Sequence, residues 1–407
     1  MPVELPTPRS DAPPAPPKPL VWLAIFVVIM LAGGGSSLFG WPKTEPTGTA
    51  WFWMRMLVFP ALAWCILFGL RLHYYNEETD RQQAEDETRE LDRAEAIRFA
   101  SEPLAVLGQA YLSAMGSAGV ASGQTTLNAQ TAESGEDGIR HTSLTLMDDE
   151  GIVGRYRSSF MELLGPIAEA INAVPPNVPF NVRLKFPAEI DQARLLDTWQ
   201  ACWLECEFRP ADASLCSTER GVMELDEWLD IHGGPELEKF TLFISVQLHH
   251  KPPPNSAEAA IALLLGWAPL VERRGLKPLA LLHRPVEVDA MALNAAVSLA
   301  LLWGNAEALQ LKDLWQAGLK GKDKSALVQA MSDLSLGISQ SDELSGVHDI
   351  DVAVGNPGVA AGWLALVLAI EHAAMTGKPQ LMATRENTLR LAIAQPATGS
   401  SKVELKG

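Results

Sequence analysis

Few residues in this 407-residue chain have the type and spacing that chemistry needs. The thiols are Cys65, Cys202, Cys206 and Cys216. Cys202 and Cys206 stand at i and i+4, on one face of a helix, with His232 further along; the set could begin a metal site, against the simpler reading of two buried structural thiols. His249 and His250 end an apolar strand, so only one of them can face a core. His232-Gly233-Gly234 has the composition of a hydrolase oxyanion turn, yet no Gly-x-Ser-x-Gly elbow accompanies it. Ser256, ahead of an alanine-rich run, reads as a helix cap. The most informative stretch is VAVGNPGVAAGWLALVLAIEHAAMTGK, residues 352–378: an apolar strand, a turn at Gly355-Asn356-Pro357-Gly358, then a long apolar helix with Gly362 near its start. A phosphate loop would need Lys followed by Ser or Thr, and a dinucleotide fingerprint would need other glycine spacing. Neither is present; no cofactor, no metal site and no catalytic residue are expected in the chain.

These residues need a framework, and the periodicity from about Pro103 onward predicts an α/β one. Strands are expected over PLAVLGQAYLSAM, GIRHTSLTLMDD, NVRLKF, residues 239–251, residues 277–284 and HDIDVAV. Helices are expected over SSFMELLGPIAEAINAV with a serine cap and a Pro175-Pro176 stop, over AEIDQARLLDTWQACWLEC, over the alanine-rich run after Ser256 to Gly275, and from Asp289 to Trp303. The polar stretch SGQTTLNAQTAESGEDG reads as a loop, and the lysine- and serine-rich residues from Gly318 to Glu343 as a surface excursion.

The first hundred residues differ. Residues 1–19 are proline-rich and read as an extended tail. Residues 20–71 hold two nearly uncharged runs, Leu20 to Trp41 and Trp51 to Leu70, each long enough for a helix to cross the ~30 Å hydrocarbon layer. Residues 72–100 are densely charged and read as a solvated helical stalk; residues 101–396 form the α/β domain and 397–407 a tail. Arg71, Arg81, Arg89 and Arg93 follow the second run and Arg9 and Lys18 precede the first, so the positive-inside rule puts both termini in the cytoplasm of a bacterial inner membrane. A net charge of -17 without a basic stripe excludes nucleic acid as a partner.

The stretch from Gly355 to Pro379 resembles the C-terminal-half motif of β-ketoacyl synthases of the thiolase-like fold. Gly355, Ala360, Ala361, Gly362 and Gly377 fall on matching positions, with Pro379 a looser match, and the segments around SVQLHH and TLRLAIAQP are similar to other strands of that family. The resemblance implies a layered α/β thiolase-like domain, an acyl thioester on a cysteine at a helix N-terminus, and a catalytic histidine where Asn356 stands. None of the thiols precedes an alanine-rich helix. The expectation is therefore a site retired from catalysis, with Gly355, Asn356, Gly358 and Gly362 as its degenerate positions, on a chain that is not an enzyme and binds a protein. The resemblance also allows a homodimer through this domain. The membrane-tethered layout resembles type VI secretion lipase adaptor proteins, which implies an accessory role toward an effector; an immunity protein against a secreted toxin and a membrane acyl-transfer enzyme are the alternatives.

The topology is checked by reporter fusions at Ala100 and at the C-terminus. Fusions to a fluorescent, cytoplasm-active reporter are expected to be active at both sites, and alkaline phosphatase activity at either site overturns the orientation.

Overall fold

The computed structural model describes residues 3, 5–6, 14–42, 46–114, 116–117, 141–146, 151–217, 219–288, 292–341 and 344–397. The expected loop at 122–138, most of the 397–407 tail and the start of the helix expected at Asp289 lie outside these residues. The chain divides into two compact units, Glu4–Ala96 and one beginning at Ile97.

In the first unit, α1 (Pro19–Phe39) packs on the early part of α2, one long helix over Ala50–Ala100 with a π-helical turn at Met54–Val58. Gly33 lets them touch: a Cβ there would sit 2.1 Å from Pro60 Cγ. Trp64 Nε1 donates to the Trp22 carbonyl at 3.0 Å, and Phe26 meets Trp64 edge-on at 5.1 Å. Leu20, Leu23, Val28, Leu31, Leu62, Ile66 and Leu70 point outward, exposed. Both helices are long and apolar enough to cross a membrane.

The second unit is built from one supersecondary plan used twice. The first half runs β1 (Leu104–Ser113), α3 (Gly151–Ala173), β2 (Phe180–Lys185), α4 (Gln192–Glu205), β3 (Asp212–Leu215), α5 (Glu224–Leu229), β4 (Phe240–Gln247) and β5 (Ala259–Trp267). The second runs β6 (Ala280–Leu282), α6 (Leu293–Trp303), β7 (Leu314–Ala317), α7 (Gly321–Asp333), β8 (Val347–Asp349), α8 (Ala361–Thr376), β9 (Gln380–Arg385) and β10 (Leu389–Pro396). Strand order is β3-β2-β4-β5-β1 in one half and β8-β7-β9-β10-β6 in the other, the same permutation. In each, the three strands that follow helices are parallel, and the last strand runs against both neighbours. β1 and β6 pair antiparallel through Leu104–Leu282, Ala105–Leu281 and Val106–Ala280, which joins the halves into one sheet.

Three apolar cores follow from this plan. α3 and α4 cover the outer face of the first half through Phe160, Leu163, Leu164 and Trp199. α6 and α7 cover that of the second through Val297, Trp303, Leu327 and Met331. Between the inner faces lies α8, whose residues Ala361 to Ile370 are all buried, as are His372 and Ala373. The layered α/β expectation and the buried helix after the glycine turn are both met.

Several expected elements are corrected. Residues 259–267 form a strand, β5, followed only by a short helix at Ala268–Arg273; the apolar run is sandwiched between β1 and β4 with both faces covered, and burial overrides the helix preference of Ala and Leu. Ser256 is accordingly no helix cap: its Oγ donates to the Pro253 carbonyl at 2.6 Å and its backbone lies in a two-residue strand. The strand expected over HDIDVAV, 348–354, ends at Asp349, because the Asp349 carboxylate accepts from Val352 N at 3.2 Å and turns Ile350–Ala353 into helix; β8 lies at the edge of the sheet. The stretch 318–343 is no excursion, since α7 buries Leu327, Ala330 and Met331. α3 starts at Gly151, and Ser159 inside it donates to the Tyr156 carbonyl instead of capping. Among the described residues of the strand expected over GIRHTSLTLMDD, 141–146, His141–Thr142 pair with Ser256–Ala257 and Ser143–Leu146 form no strand.

A Cβ on Gly362 would lie 3.2 Å from Val222 Cγ1 and 3.3 Å from Thr384 Cγ2, so α8 touches both halves without slack. Gly362→Leu is expected to cost ~1–3 kcal/mol by overpacking, read as a lower urea midpoint with an unchanged slope. A variant as stable as the parent refutes the close contact.

Candidate functional site

The turn that begins α8 is held by backbone pairing. Gly355 has φ +100°, and a Cβ on it would come 2.6 Å from the Ser256 carbonyl oxygen, so only glycine fits. Asn356 N donates to the Asn255 carbonyl at 2.7 Å, and Ala257 N returns a bond to the Asn356 carbonyl at 2.9 Å. The Asn356 side chain is exposed, and its Oδ1 accepts from Gly358 N at 2.8 Å, an Asx turn. Gln247 at the end of β4 accepts from Val359 N at 3.2 Å and fills the place a Cβ on Gly358 would need.

Gly358, Val359 and Gln247 form one wall of a cleft of about 910 Å³. Ile152 and Val153 of α3, Pro187 to Asp191 and Arg194 before and in α4, and Leu248 to Lys251 after β4 complete it. Its lining is mostly aliphatic, with Arg194 and Lys251 set against Glu189 and Asp191. Of the two histidines, His250 is exposed and His249 half-buried; burial lowers the His249 pKa, and among the described residues its Nε2 has no partner. The loop carrying them is fixed by Glu258. One carboxylate oxygen accepts from His249 N at 2.8 Å and Arg155 Nη1 at 2.9 Å; the other accepts from Leu144 N at 2.9 Å and Arg155 Nη2 at 2.5 Å. Sequence reading did not find this pair, since 103 residues separate its members and neither belongs to a motif.

The cysteines are dispersed. Cys202 is buried in α4, its thiol pushed up to about 11 mainly by burial, and Cys206 caps the same helix. His232 stacks on Phe99 at 4.4 Å, and among the described residues no group with ligand atoms in reach of one ion includes either cysteine. Cys216 holds a more telling place. It follows β3 and precedes the turn at Gly221–Met223 and α5, which puts it where Asn356 stands in the second half: after the third strand, before the helix that leads to the fourth. Its thiol is buried and pushed up to about 12, first by burial and then by the Glu224 carboxylate. Glu224 itself accepts from Arg183 Nη2 at 2.8 Å and Ser217 N at 3.0 Å. In front of α5 lies Glu386 from the β9–β10 hairpin; a Cβ on Gly221 would fall 2.0 Å from its Oε2. Lys185 and Arg390 hold that carboxylate at 3.0 and 2.7 Å. The Cys-Ser pair between two short elements was the available sequence signal, and the lack of an alanine-rich helix after it concealed it.

Arg155→Met is expected to leave the Glu258 carboxylate, 2% exposed, without its cation and to cost ~3 kcal/mol, the low end of the range for a broken buried pair because Arg155 is 20% exposed. Urea titration of the full chain in detergent measures it, and a change under ~1 kcal/mol means that the cleft loop does not depend on the pair.

No protein-family model matches the chain, and no curated protein matches it. Solved structures do. An oxazolomycin ketosynthase domain from Streptomyces albus is similar over 72% of this chain and 95% of its own, at 10% identity and a TM-score of 0.48. A ketosynthase from the bacillaene polyketide synthase of Bacillus amyloliquefaciens is similar over 73% and 75%, at 11% identity and a TM-score of 0.47. Human mitochondrial 3-ketoacyl-CoA thiolase is similar over 73% and 99%, at 9% identity and a TM-score of 0.45. The α/β unit thus resembles ketosynthases and a thiolase in the path of its chain, and likeness at this level carries no argument about chemistry.

Proposed function

We propose that this chain is a membrane-anchored binding protein on a thiolase-like scaffold, that it does not condense acyl groups, and that the cleft beside the Gly355–Gly362 turn receives a segment of a protein partner. One observation carries the reading: the two strand-to-helix turns at matching places in the halves hold a buried Cys216 and an exposed Asn356 whose amide closes its own turn. Attack on an acyl group needs a thiolate, and a thiol with its pKa near 12 is almost wholly protonated at pH 7. An amide at 356 can donate or accept a hydrogen bond but cannot cycle a proton. The cleft is of the size of a ligand pocket, open, aliphatic and rimmed by charges of both signs, which suits an extended peptide with mixed charge. The apolar pair α1 and α2 supports anchoring, and the layout makes a type VI secretion effector the first partner to test.

Raised in the folded state, the Cys216 pKa favours folding below the ordinary thiol range, and that contribution is lost as pH climbs toward 12. Iodoacetamide at pH 8 is accordingly expected to leave Cys216 unmodified in the folded chain and to label it in urea, mapped by mass spectrometry. An acyl-thioester donor should leave no adduct, and Asn356→His should not create condensing activity. An acyl adduct on Cys216, or its fast alkylation in the folded chain, overturns the proposal.

A further inference from the structure

The second half of the sheet gathers three side chains that the cleft does not use. Asp313 immediately precedes β7, His348 is the middle residue of β8, and His372 lies toward the C-terminal end of α8. Asp313 Oδ1 is 3.0 Å from His348 Nε2, and Asp313 Oδ2 is 3.5 Å from His372 Nε2. All three ligand atoms fall within 4.8 Å of one another. The surroundings are rigid. Parallel pairing sets Trp315 beside His348, and Leu381 N donates to the Asp313 carbonyl at 3.1 Å. The Trp315 ring stacks on His348 at 4.3 Å and meets His372 edge-on at 5.6 Å, its own N–H held by Gln380 at 3.2 Å.

The spacing suits one ion. Neighbouring ligand atoms of a tetrahedral site with metal–ligand bonds of ~2.0–2.1 Å lie ~3.3 Å apart, and one ligand atom from each of the three residues lies within 4.8 Å of the others, close enough for small side-chain shifts to close on one ion. The donors suit it as well. One carboxylate faces two imidazoles, a mixed oxygen and nitrogen donor set. Among the described residues His372 Nδ1 has no partner, so whatever Nε2 binds decides the tautomer. Asp313 and His348 keep side-chain exposures of 15% and 11%, so the cluster reaches the surface. Two imidazoles and one carboxylate favour Zn²⁺, Co²⁺, Ni²⁺ or Fe²⁺ over Ca²⁺ or Mg²⁺.

We infer that Asp313, His348 and His372 form a binding site for one divalent first-row transition-metal ion, on the opposite end of α8 from the Gly355–Gly362 turn. Its occupant would clamp α8 to the β7–β8 edge. The site is independent of the binding function proposed above.

The full chain, purified in detergent and stripped with a chelator, is titrated with Co²⁺ as the probe. One ion per chain is expected, with visible d–d absorption, displacement by Zn²⁺ and a higher melting temperature. His348→Gln and Asp313→Asn should each weaken Co²⁺ binding by more than the ~10–100-fold that outer-shell changes cost, while His73→Gln on α2 leaves it unchanged. Folding of each variant is checked by circular dichroism. On the parent chain, Zn²⁺ should also protect His348 from diethyl pyrocarbonate. Absence of Co²⁺ binding, its retention in a folded His348→Gln or Asp313→Asn chain, or no protection of His348 overturns the site.

Discussion

A helix apolar on every side has no stable place at a protein surface, and α8 is such a helix. From Ala361 to Ile370 it offers no face to water, so it must be enclosed from all directions. Enclosure requires two sheet faces, and each sheet must then shield its outer face with helices of its own. The duplicated plan of the second unit meets that demand: α3 and α4 on one side, α6 and α7 on the other, α8 between. Because β1 and β6 pair, the two faces belong to one continuous sheet that wraps the helix.

The same composition takes α1 and α2 elsewhere. By hydropathy and length, Pro19–Phe39, the helix beginning at Ala50 and Gly358–Thr376 are all apolar enough to span a bilayer. What separates them is enclosure: 72% of the apolar window of the last is buried within the protein, against 11% and 6% for the other two. Around α8 the neighbours close in, with Val222 and Thr384 side chains 3.2 and 3.3 Å from a Cβ placed on Gly362, whereas Leu20, Leu23, Val28 and Leu31 of α1 and Leu62, Ile66 and Leu70 of α2 stay exposed.

Legibility followed the range of the interactions. The buried helix after Gly355, the glycine that the turn demands and the α/β alternation were readable because each rests on residues close in sequence. β5 was misread because an Ala-Leu run is compatible with helix or buried strand, and only the presence of β1 and β4 on either side decides. α7 was misread because its surface face carries the lysines while three residues make the core contact. The place of Cys216 depends on comparing two halves whose helices differ in length, six residues in α5 against sixteen in α8, so local pattern could not align them. Arg155 with Glu258, and Asp313 with His348 and His372, are pairings of tertiary structure and leave no spacing rule behind.

The polar interior of the first half is organised for position. Lys185, 2% exposed, and Arg390, 3% exposed, both grip Glu386, and Arg390 also donates to the Glu219 carbonyl at 2.7 Å. Buried ion pairs of this kind add little net stability because each charge loses its water, but removing one partner is costly, so they select one arrangement over its neighbours. Here the arrangement selected brings the β9–β10 hairpin of the second half against the turn that follows Cys216. A carboxylate fits there because Gly221 has no Cβ and because Lys185 and Arg390 both donate to it. A substrate anion approaching that turn would have to displace a carboxylate already neutralised by two cations, one from each half. Tight registration of the halves and an open turn at Cys216 are therefore alternatives, and this chain has the first.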